Sequence, residues 1–303
     1  MTILVTGGLG SIGAHTALAL ADLGEPVVVT RHRRAAPPSF LEGRVAVEHA
    51  DVADIDALRA IGDRHEITAI VHLAAVALEE PDPIAFMRSN TAMLLNVLDV
   101  ARTWGVRRFA VASSIGVYLG APGPRWHEDV ALVPATAPNS IVAFKKSVEA
   151  ITPLVLQGTG VEPILLRIGT IWGPLGLPDS PFFPIPRFIS ATVRGEAPSP
   201  PILADDGGDR CYVKDCGRAI ALLMRANTLQ HDTYNISSGR PVANYEFATA
   251  VDAAVLPGRT PEGPAEDPYL DIARLVRDTG FEPAYDVRAG VADYVAWLRE
   301  HPS

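Results

Sequence analysis

Two cysteines, Cys211 and Cys216, are all that this 303-residue chain contains, too few for a disulfide framework or a cysteine zinc site. Lysine is almost as scarce, with Lys145, Lys146 and Lys214 the whole supply. At a net charge of −9 the chain lacks the basic patches that a nucleic-acid or membrane-surface partner requires. No uninterrupted apolar stretch is long enough to span a bilayer. A first strand expected at residue 3 leaves no room for a signal peptide, so a cytoplasmic location is expected by default. No metal site is expected. What remains, 48% hydrophobic and 20% charged, is an ordinary globular composition, one large domain or two small ones.

The informative stretch is the first fifteen residues. Ile3 to Thr6 is a short apolar, β-branched run, the pattern of a strand buried on both faces. Gly7, Gly10 and Gly13 follow in a G-x-x-G-x-x-G rhythm, and Ile12 to Leu23 reads as a helix closed by Gly24. One glycine permits the tight turn, another lets backbone N–H groups approach a pyrophosphate, and the last lets helix pack close to strand. The expectation is a dinucleotide site, with Ser11 and Ile12 at the start of its helix.

Glu25 to Thr30 supplies the next strand and completes a right-handed βαβ unit. In such folds an acidic residue at the end of this strand takes the ribose 2′-hydroxyl, whereas an arginine accommodates a 2′-phosphate. Arg31 holds that place within Arg31-His-Arg-Arg34, so NADP is expected, with NAD as the alternative. Strand three runs from Val45 to Asp51, and strand four from Ile67 into a small-residue turn at Ala74 and Ala75. Pro83 to Trp104, with Ile84, Met87, Thr91, Leu94, Leu95 and Leu98 at helical spacing, is a long helix ended by Gly105.

Together these motifs resemble the extended short-chain dehydrogenase/reductase superfamily, its NAD(P)-dependent epimerase/dehydratase group. The residues that carry the resemblance are Thr6-Gly-Gly-Leu-Gly-Ser-Ile-Gly13, Asp51-Val52, His72-Leu-Ala-Ala75, Asn90, Ser113-Ser-Ile-Gly-Val-Tyr118, Lys145 with Glu149, and Arg167-Ile-Gly-Thr-Ile-Trp-Gly-Pro174. Asp209-Arg-Cys-Tyr-Val-Lys-Asp215, Tyr234-Asn-Ile-Ser-Ser-Gly239 and Asp271-Ile-Ala-Arg274 follow in the family's order. The resemblance implies an α/β fold: a Rossmann-type doubly wound parallel sheet with a smaller C-terminal substrate-binding domain. The boundaries expected are 1–172 for the dinucleotide-binding domain, completed by about 209–238, and 173–303 for the substrate domain and lid. It also implies a homodimer, an Asp51 that meets the adenine with Val52 beside it, and Leu73, Ala74, Ala75, Asn90 and Lys145 in contact with the cofactor.

The family's chemistry rests on serine, tyrosine and lysine, the last two four residues apart on a helix so that both project from one face. A phenol of pKa ~10 must exchange a proton near neutrality, and a neighbouring ammonium lowers that pKa. Ser114 falls at the catalytic serine, four residues before Tyr118. Lys145 is the matching lysine because Glu149 follows it at the family's spacing. Four residues earlier stands Ile141, and the other register gives Val142, so the tyrosine is missing either way. An isoleucine cannot move a proton. Three accounts remain open at this level: redox chemistry with Tyr118 or Lys145 itself as the acid, a non-catalytic NADP-binding regulatory or scaffold protein, or a non-redox isomerase or lyase.

Other departures bear on the substrate. Ile115 and Gly116 stand where the family's sugar dehydratases and decarboxylases keep an acid, which disfavours those reactions. Thr170 replaces an asparagine that helps hold a nucleotide-sugar diphosphate, whereas Arg210 matches the arginine that meets a substrate phosphate. The leading reading is an NAD(P)-dependent oxidoreductase or epimerase with atypical acid/base chemistry, acting on a small hydroxyl or carbonyl metabolite or a sugar derivative. Its substrate contacts are Ile141 and Arg210. His127 and Glu128 lie in the loop before the lysine helix. The proline-rich stretches from Pro174 to Pro186, with Phe182 and Phe183, and from Pro198 to Pro201 suit a lid. Helices are expected at Asn244 to Val255, Asp271 to Thr279 and Val287 to Arg299.

Overall fold

The computed structural model describes residues 1–32, 36–76, 82–176, 184–197, 202–252 and 267–301. Arg33, Arg34, Pro178, Pro181, Phe182, Phe183, the run 198–201 and the end of the helix expected to reach Val255 lie outside the described residues.

The first half alternates strand and helix. It holds β1 (Ile3–Thr6), α1 (Ser11–Asp22), β2 (Val27–Arg31), β3 (Ala46–His49), α2 (Ile55–Arg64), β4 (Ala69–His72), α3 (Pro83–Trp104) and β5 (Arg108–Ala112). The middle holds β6 (Arg125–Trp126), α4 (Ser140–Leu156), β7 (Glu162–Ile168), β8 (Ile171–Trp172), α5 (Pro184–Val193), β9 (Gly207–Asp209), β10 (Cys211–Tyr212) and α6 (Val213–Arg225). The last part holds β11 (Thr233–Ile236), β12 (Pro241–Ala243), α7 (Asn244–Ala250), β13 (Tyr269–Leu270), α8 (Ala273–Thr279) and α9 (Val287–Glu300).

Seven parallel strands form one sheet in the order β11-β7-β5-β4-β1-β2-β3. The chain moves outward from β1 in one direction through β2 and β3, then restarts on the other side with β4. The order therefore reverses between β1 and β4, and a crevice opens at the carboxyl ends of those strands. β1 is wholly buried because both faces of the sheet are covered. Ile3 and Val5 pack with Leu20, Val29 and Ile220 on the side of α1 and α6. Leu4 packs with Ile61, Leu94 and Phe144 on the side of α2, α3 and α4. A second, smaller core gathers Trp172, Phe188, Phe247 and Tyr294 from β8, α5, α7 and α9. Among the described residues no helix is long and apolar enough to cross a membrane.

Local chemistry sets the helix ends. α3 starts with Asp82, whose carboxylate accepts from the Ile84 N–H at 3.0 Å, and with Pro83 in the first turn. It stops at Gly105, whose φ of 61° is the left-handed cap that glycine adopts without strain. Strand four is shorter than expected and ends at His72, because Leu73 to Ala75 turn away along the crevice. α2 carried no sequence expectation. It is built by the Asp54 cap and by Leu58 and Ile61 facing the sheet.

The tightest helix pair is α1 against α6. A Cβ at Gly217 would lie 2.6 Å from the backbone carbonyl of His15, which no rotamer change can relieve. Gly217→Val should therefore destabilise the protein by about 2–3 kcal/mol, the cost of overpacking a close-packed contact. Urea unfolding measures it. An unchanged midpoint would show that α1 and α6 can separate freely, against this account of the packing.

Candidate active site and cofactor crevice

The crevice is built by the turn between β1 and α1. Gly7 has a φ of 70°, and its N–H donates to Thr30 Oγ1 at 3.1 Å. A Cβ at Gly7 would sit 2.8 Å from the Ala74 nitrogen, and one at Gly13 would sit 2.2 Å from the Gly7 carbonyl oxygen. Gly10 caps α1 and offers no side-chain acceptor, so the first N–H groups of the helix carry its positive end into the crevice. That arrangement fits a dinucleotide pyrophosphate.

Two cavities meet at this turn, and both are lined by Gly10 and Leu73. The first, about 410 Å³, is lined by Gly7, Arg31, Asp51, Val52, Ala74 and Ala75 among others. The Asp51 carboxylate accepts from the Ala53 N–H at 2.9 Å and lies 3.6 Å from His32 Nε2. Asn90 does not line it. Asn90 is 1% exposed, accepts from the Val76 N–H at 3.1 Å and donates to the Phe86 carbonyl at 2.9 Å. It braces the loop after β4 from behind, a correction to its expected direct contact. His72 is buried with Nδ1 2.7 Å from Thr6 Oγ1, and burial with nearby Lys145 pushes its pKa down to about 3. It is a neutral strand residue beneath the turn.

The second cavity, about 640 Å³, is lined by Ser11, Ile12, Ser114, Ile141 and Lys145 among others. Ser114 caps a short turn and accepts from the Gly116 N–H at 3.1 Å. Asn139 caps α4 by accepting from the Val142 N–H at 3.0 Å. With the helix so started, Ile141 and Lys145 follow one turn apart, and both reach the cavity. Lys145 Nζ donates to the Ala112 carbonyl at 2.7 Å, and burial lowers its pKa to about 8.

Tyr118 is not in this cavity. It is 0% exposed, with its ring stacked on Trp126 at 5.5 Å. Its hydroxyl donates to Asn235 Oδ1 at 2.8 Å and accepts from Arg167 Nη1 at 2.9 Å. Burial pushes its pKa up to about 12. The expectation that it substitutes for the missing acid is corrected on these grounds. Arg210 lines a different, smaller cavity of about 150 Å³ beside Tyr285 and Arg240, not the one that holds Lys145. Glu128 is buried, accepts from the Asn235 N–H at 2.8 Å and faces Arg274, whereas His127 lies on the surface near Asp129.

Sequence reasoning gave Ser113 no role of its own. Ser113 lines the reaction cavity and donates to Glu149 Oε1 at 2.5 Å. Glu149 is held in turn by Arg167 through bonds of 2.9 and 2.8 Å. The adjacent pair Ser113-Ser114 was the available signal. Trp172, Thr170 and Pro186 also line the cavity, and Pro186 carried only a general lid expectation.

The fold has counterparts among solved structures. A UDP-glucose 4-epimerase with UDP-glucose from Thermotoga maritima matches with a TM-score of 0.83 at 23% identity, all of each chain being covered. One complexed with NAD from Thermus thermophilus matches with a TM-score of 0.81 at 24% identity, over 99% of this chain and 100% of that one. In sequence, a dTDP-glucose 4,6-dehydratase from Actinoplanes sp. is 27% identical over 100% of this chain and 99% of its own. Another from Streptomyces griseus is 29% identical over 99% of this chain and 95% of its own. The profile of the NAD dependent epimerase/dehydratase family matches residues 3–237. With the glycine turn, the doubly wound sheet and the serine–lysine cavity in place, that match identifies the chain as a member of the NAD dependent epimerase/dehydratase family, of the extended short-chain dehydrogenase/reductase type.

Proposed function

We propose that this protein is an NAD(P)-dependent oxidoreductase or epimerase in which Lys145 carries the proton that the family gives to a tyrosine. A bound nicotinamide dinucleotide supplies the hydride acceptor and donor. The observation that carries the reading is one cavity lined by Ser114, Lys145 and Ile141, with the ammonium desolvated and its pKa near 8. Ser114 offers a hydroxyl to the substrate oxygen. Lys145 in its neutral form accepts the proton of an alcohol, and as the ammonium it donates a proton to a carbonyl oxygen. Ile141 excludes water from the same side and sustains the burial that lowers the Lys145 pKa. The substrate is a small hydroxyl or carbonyl compound, sugar derivatives included. The names of the relatives above support the sugar derivatives within that class.

The first cavity supports NADP through Arg31, which lines it at the end of β2. A guanidinium pairs bidentately with a phosphate, and such charge-assisted bonds are the strong ones. A homodimer through α3 and α4 is supported by their outer faces. Ile84 is 64% exposed and Leu95 45%. On α4 the uncharged stripe Ala143, Ser147, Ala150 and Leu154 ends in a leucine 71% exposed. A second copy apposed there would bury both faces. A cytoplasmic location and the domain boundaries 1–172 and 173–303 remain part of the same proposal.

The proton role fixes a pH dependence of opposite sign in the two directions. Alcohol oxidation needs neutral Lys145 and should rise with pH through about 8. Carbonyl reduction needs the ammonium and should fall above the same pH. Lys145→Met should reduce both rates by about 10²–10⁴-fold, and stopped-flow absorbance of the reduced nicotinamide follows each. A Lys145→Met variant of full activity contradicts the reading. For the cofactor, calorimetry should give NADP at least about tenfold tighter binding than NAD, and Arg31→Asp should reverse the order. Equal affinities in the unmutated protein would rule out the Arg31 argument. For assembly, Leu154→Arg should convert a dimer to a monomer in sedimentation velocity, and a parent protein that sediments as a monomer refutes the interface.

A further inference from the structure

We infer that Glu149 is a positioning residue for Lys145: paired with Arg167, it fixes the backbone that holds the ammonium and leaves no net charge beside it. This rests on the proton role proposed for Lys145 and names what sustains that role.

The geometry starts at the end of β5. The Ser113 N–H donates to the Leu166 carbonyl of β7 at 2.7 Å. Across a trans peptide the Ala112 carbonyl points the opposite way, toward β4. The ladder between β4 and β5, however, ends with His72 opposite Val111. The Ala112 carbonyl is left to a side chain, and Lys145 Nζ donates to it at 2.7 Å. Glu149 lies one helical turn beyond Lys145 on the same face of α4. It takes the next residue of the strand end, accepting from Ser113 Oγ at 2.5 Å. α4 therefore grips two successive residues, Ala112 with a cation and Ser113 with an anion. Arg167 of β7 closes the grip, its Nε and Nη2 donating to the two carboxylate oxygens at 2.9 and 2.8 Å.

The charges around Lys145 balance in the same network. An unpaired carboxylate one turn away would hold the lysine proton more tightly, and an unpaired guanidinium would loosen it. Glu149 and Arg167 are each 8% exposed in their side chains, so water screens them little and each must be cancelled by the other. The other charged and titratable groups nearby add no opposing anion. His72 of β4 is buried and neutral. Lys146 donates to the Val133 and Thr136 carbonyls at 2.5 and 2.6 Å, and Glu128 faces Arg274. Burial alone is then left to act on Lys145.

The test follows the lysine side-chain signals of the whole chain, labelled with ¹³C and ¹⁵N at lysine, across pH. Glu149→Gln keeps the size of the side chain and an acceptor for Ser113 but leaves the Arg167 charge uncancelled. The Lys145 midpoint should then fall from about 8 to about 7 or below. Arg167→Gln leaves the carboxylate uncancelled and should move the midpoint up, toward the ordinary lysine value of about 10.4. Glu149→Asp, which retains the charge, should keep the parent's midpoint. A purely structural role would not move the two Gln variants in opposite directions. Midpoints that stay at the parent's value in both, or that move the same way, overturn the inference. Loss of the fold in both Gln variants also overturns it, by assigning the pair to stability alone. A parent midpoint near 10.4 is a different failure, since it defeats the proton reading before any variant is made.

Discussion

The contact on which the rest depends is the approach of the Gly7 carbonyl oxygen to Gly13, where a Cβ would lie at 2.2 Å. Only with both glycines can α1 start directly over the end of β1, in the gap where the sheet order reverses. The uncapped N–H groups of α1 then face the crevice, and Leu73 and Gly10 become shared walls of the two cavities. On one side of the reversal, β2 and β3 bring Arg31 and Asp51 to one end of that crevice. On the other side, β5 and β7 bring Ser114 and Gly169 to the opposite end, with Leu73 after β4 at the join of the two.

Beneath the second cavity lies a buried ionic network that sets what its surface presents. Arg167 and Glu149 are each 8% exposed in their side chains and pair at 2.8 Å. Such a pair is stable in the interior only when its remaining donors and acceptors are satisfied. Here Ser113, Tyr118 and the Glu128 carbonyl meet that demand. The same bonds that satisfy the network withdraw Tyr118 and Glu149 from chemistry. Lys145 is left as the titratable side chain among the described residues that line the chamber. Its Nζ is tied to the Ala112 carbonyl rather than to a carboxylate, so burial acts on its pKa without an opposing anion.

Much of this was legible in the sequence where the governing rule is local. The glycine turn, the Pro83 and Gly105 ends of α3, and the one-turn spacing of Ile141 and Lys145 all follow from backbone geometry within a few residues. Tyr118 was not legible, because its partners Arg167 and Asn235 lie 49 and 117 residues away. Nothing near Tyr118 in the chain says which way its hydroxyl points. The place of Arg210, outside the Lys145 cavity, was not legible for a similar reason. Its cavity is set by the packing of Trp172 against Tyr212, Phe247 and Gly290, contacts assembled from separate stretches of chain. Asn90 was placed in the right region but at one remove, since a helix face was legible and the loop it braces was not.

The central claim is that burial, with isoleucine in place of tyrosine, turns Lys145 into the proton carrier. The scarcity of lysine makes this directly measurable, because Lys145, Lys146 and Lys214 are the only three in the chain. In protein labelled with ¹³C and ¹⁵N at lysine, the three side-chain signals can be followed across pH, with Lys145→Arg identifying its own by loss. The account predicts one signal titrating near pH 8, the one that disappears in Lys145→Arg. A Lys145 signal titrating near the ordinary lysine value of about 10.4 would contradict it.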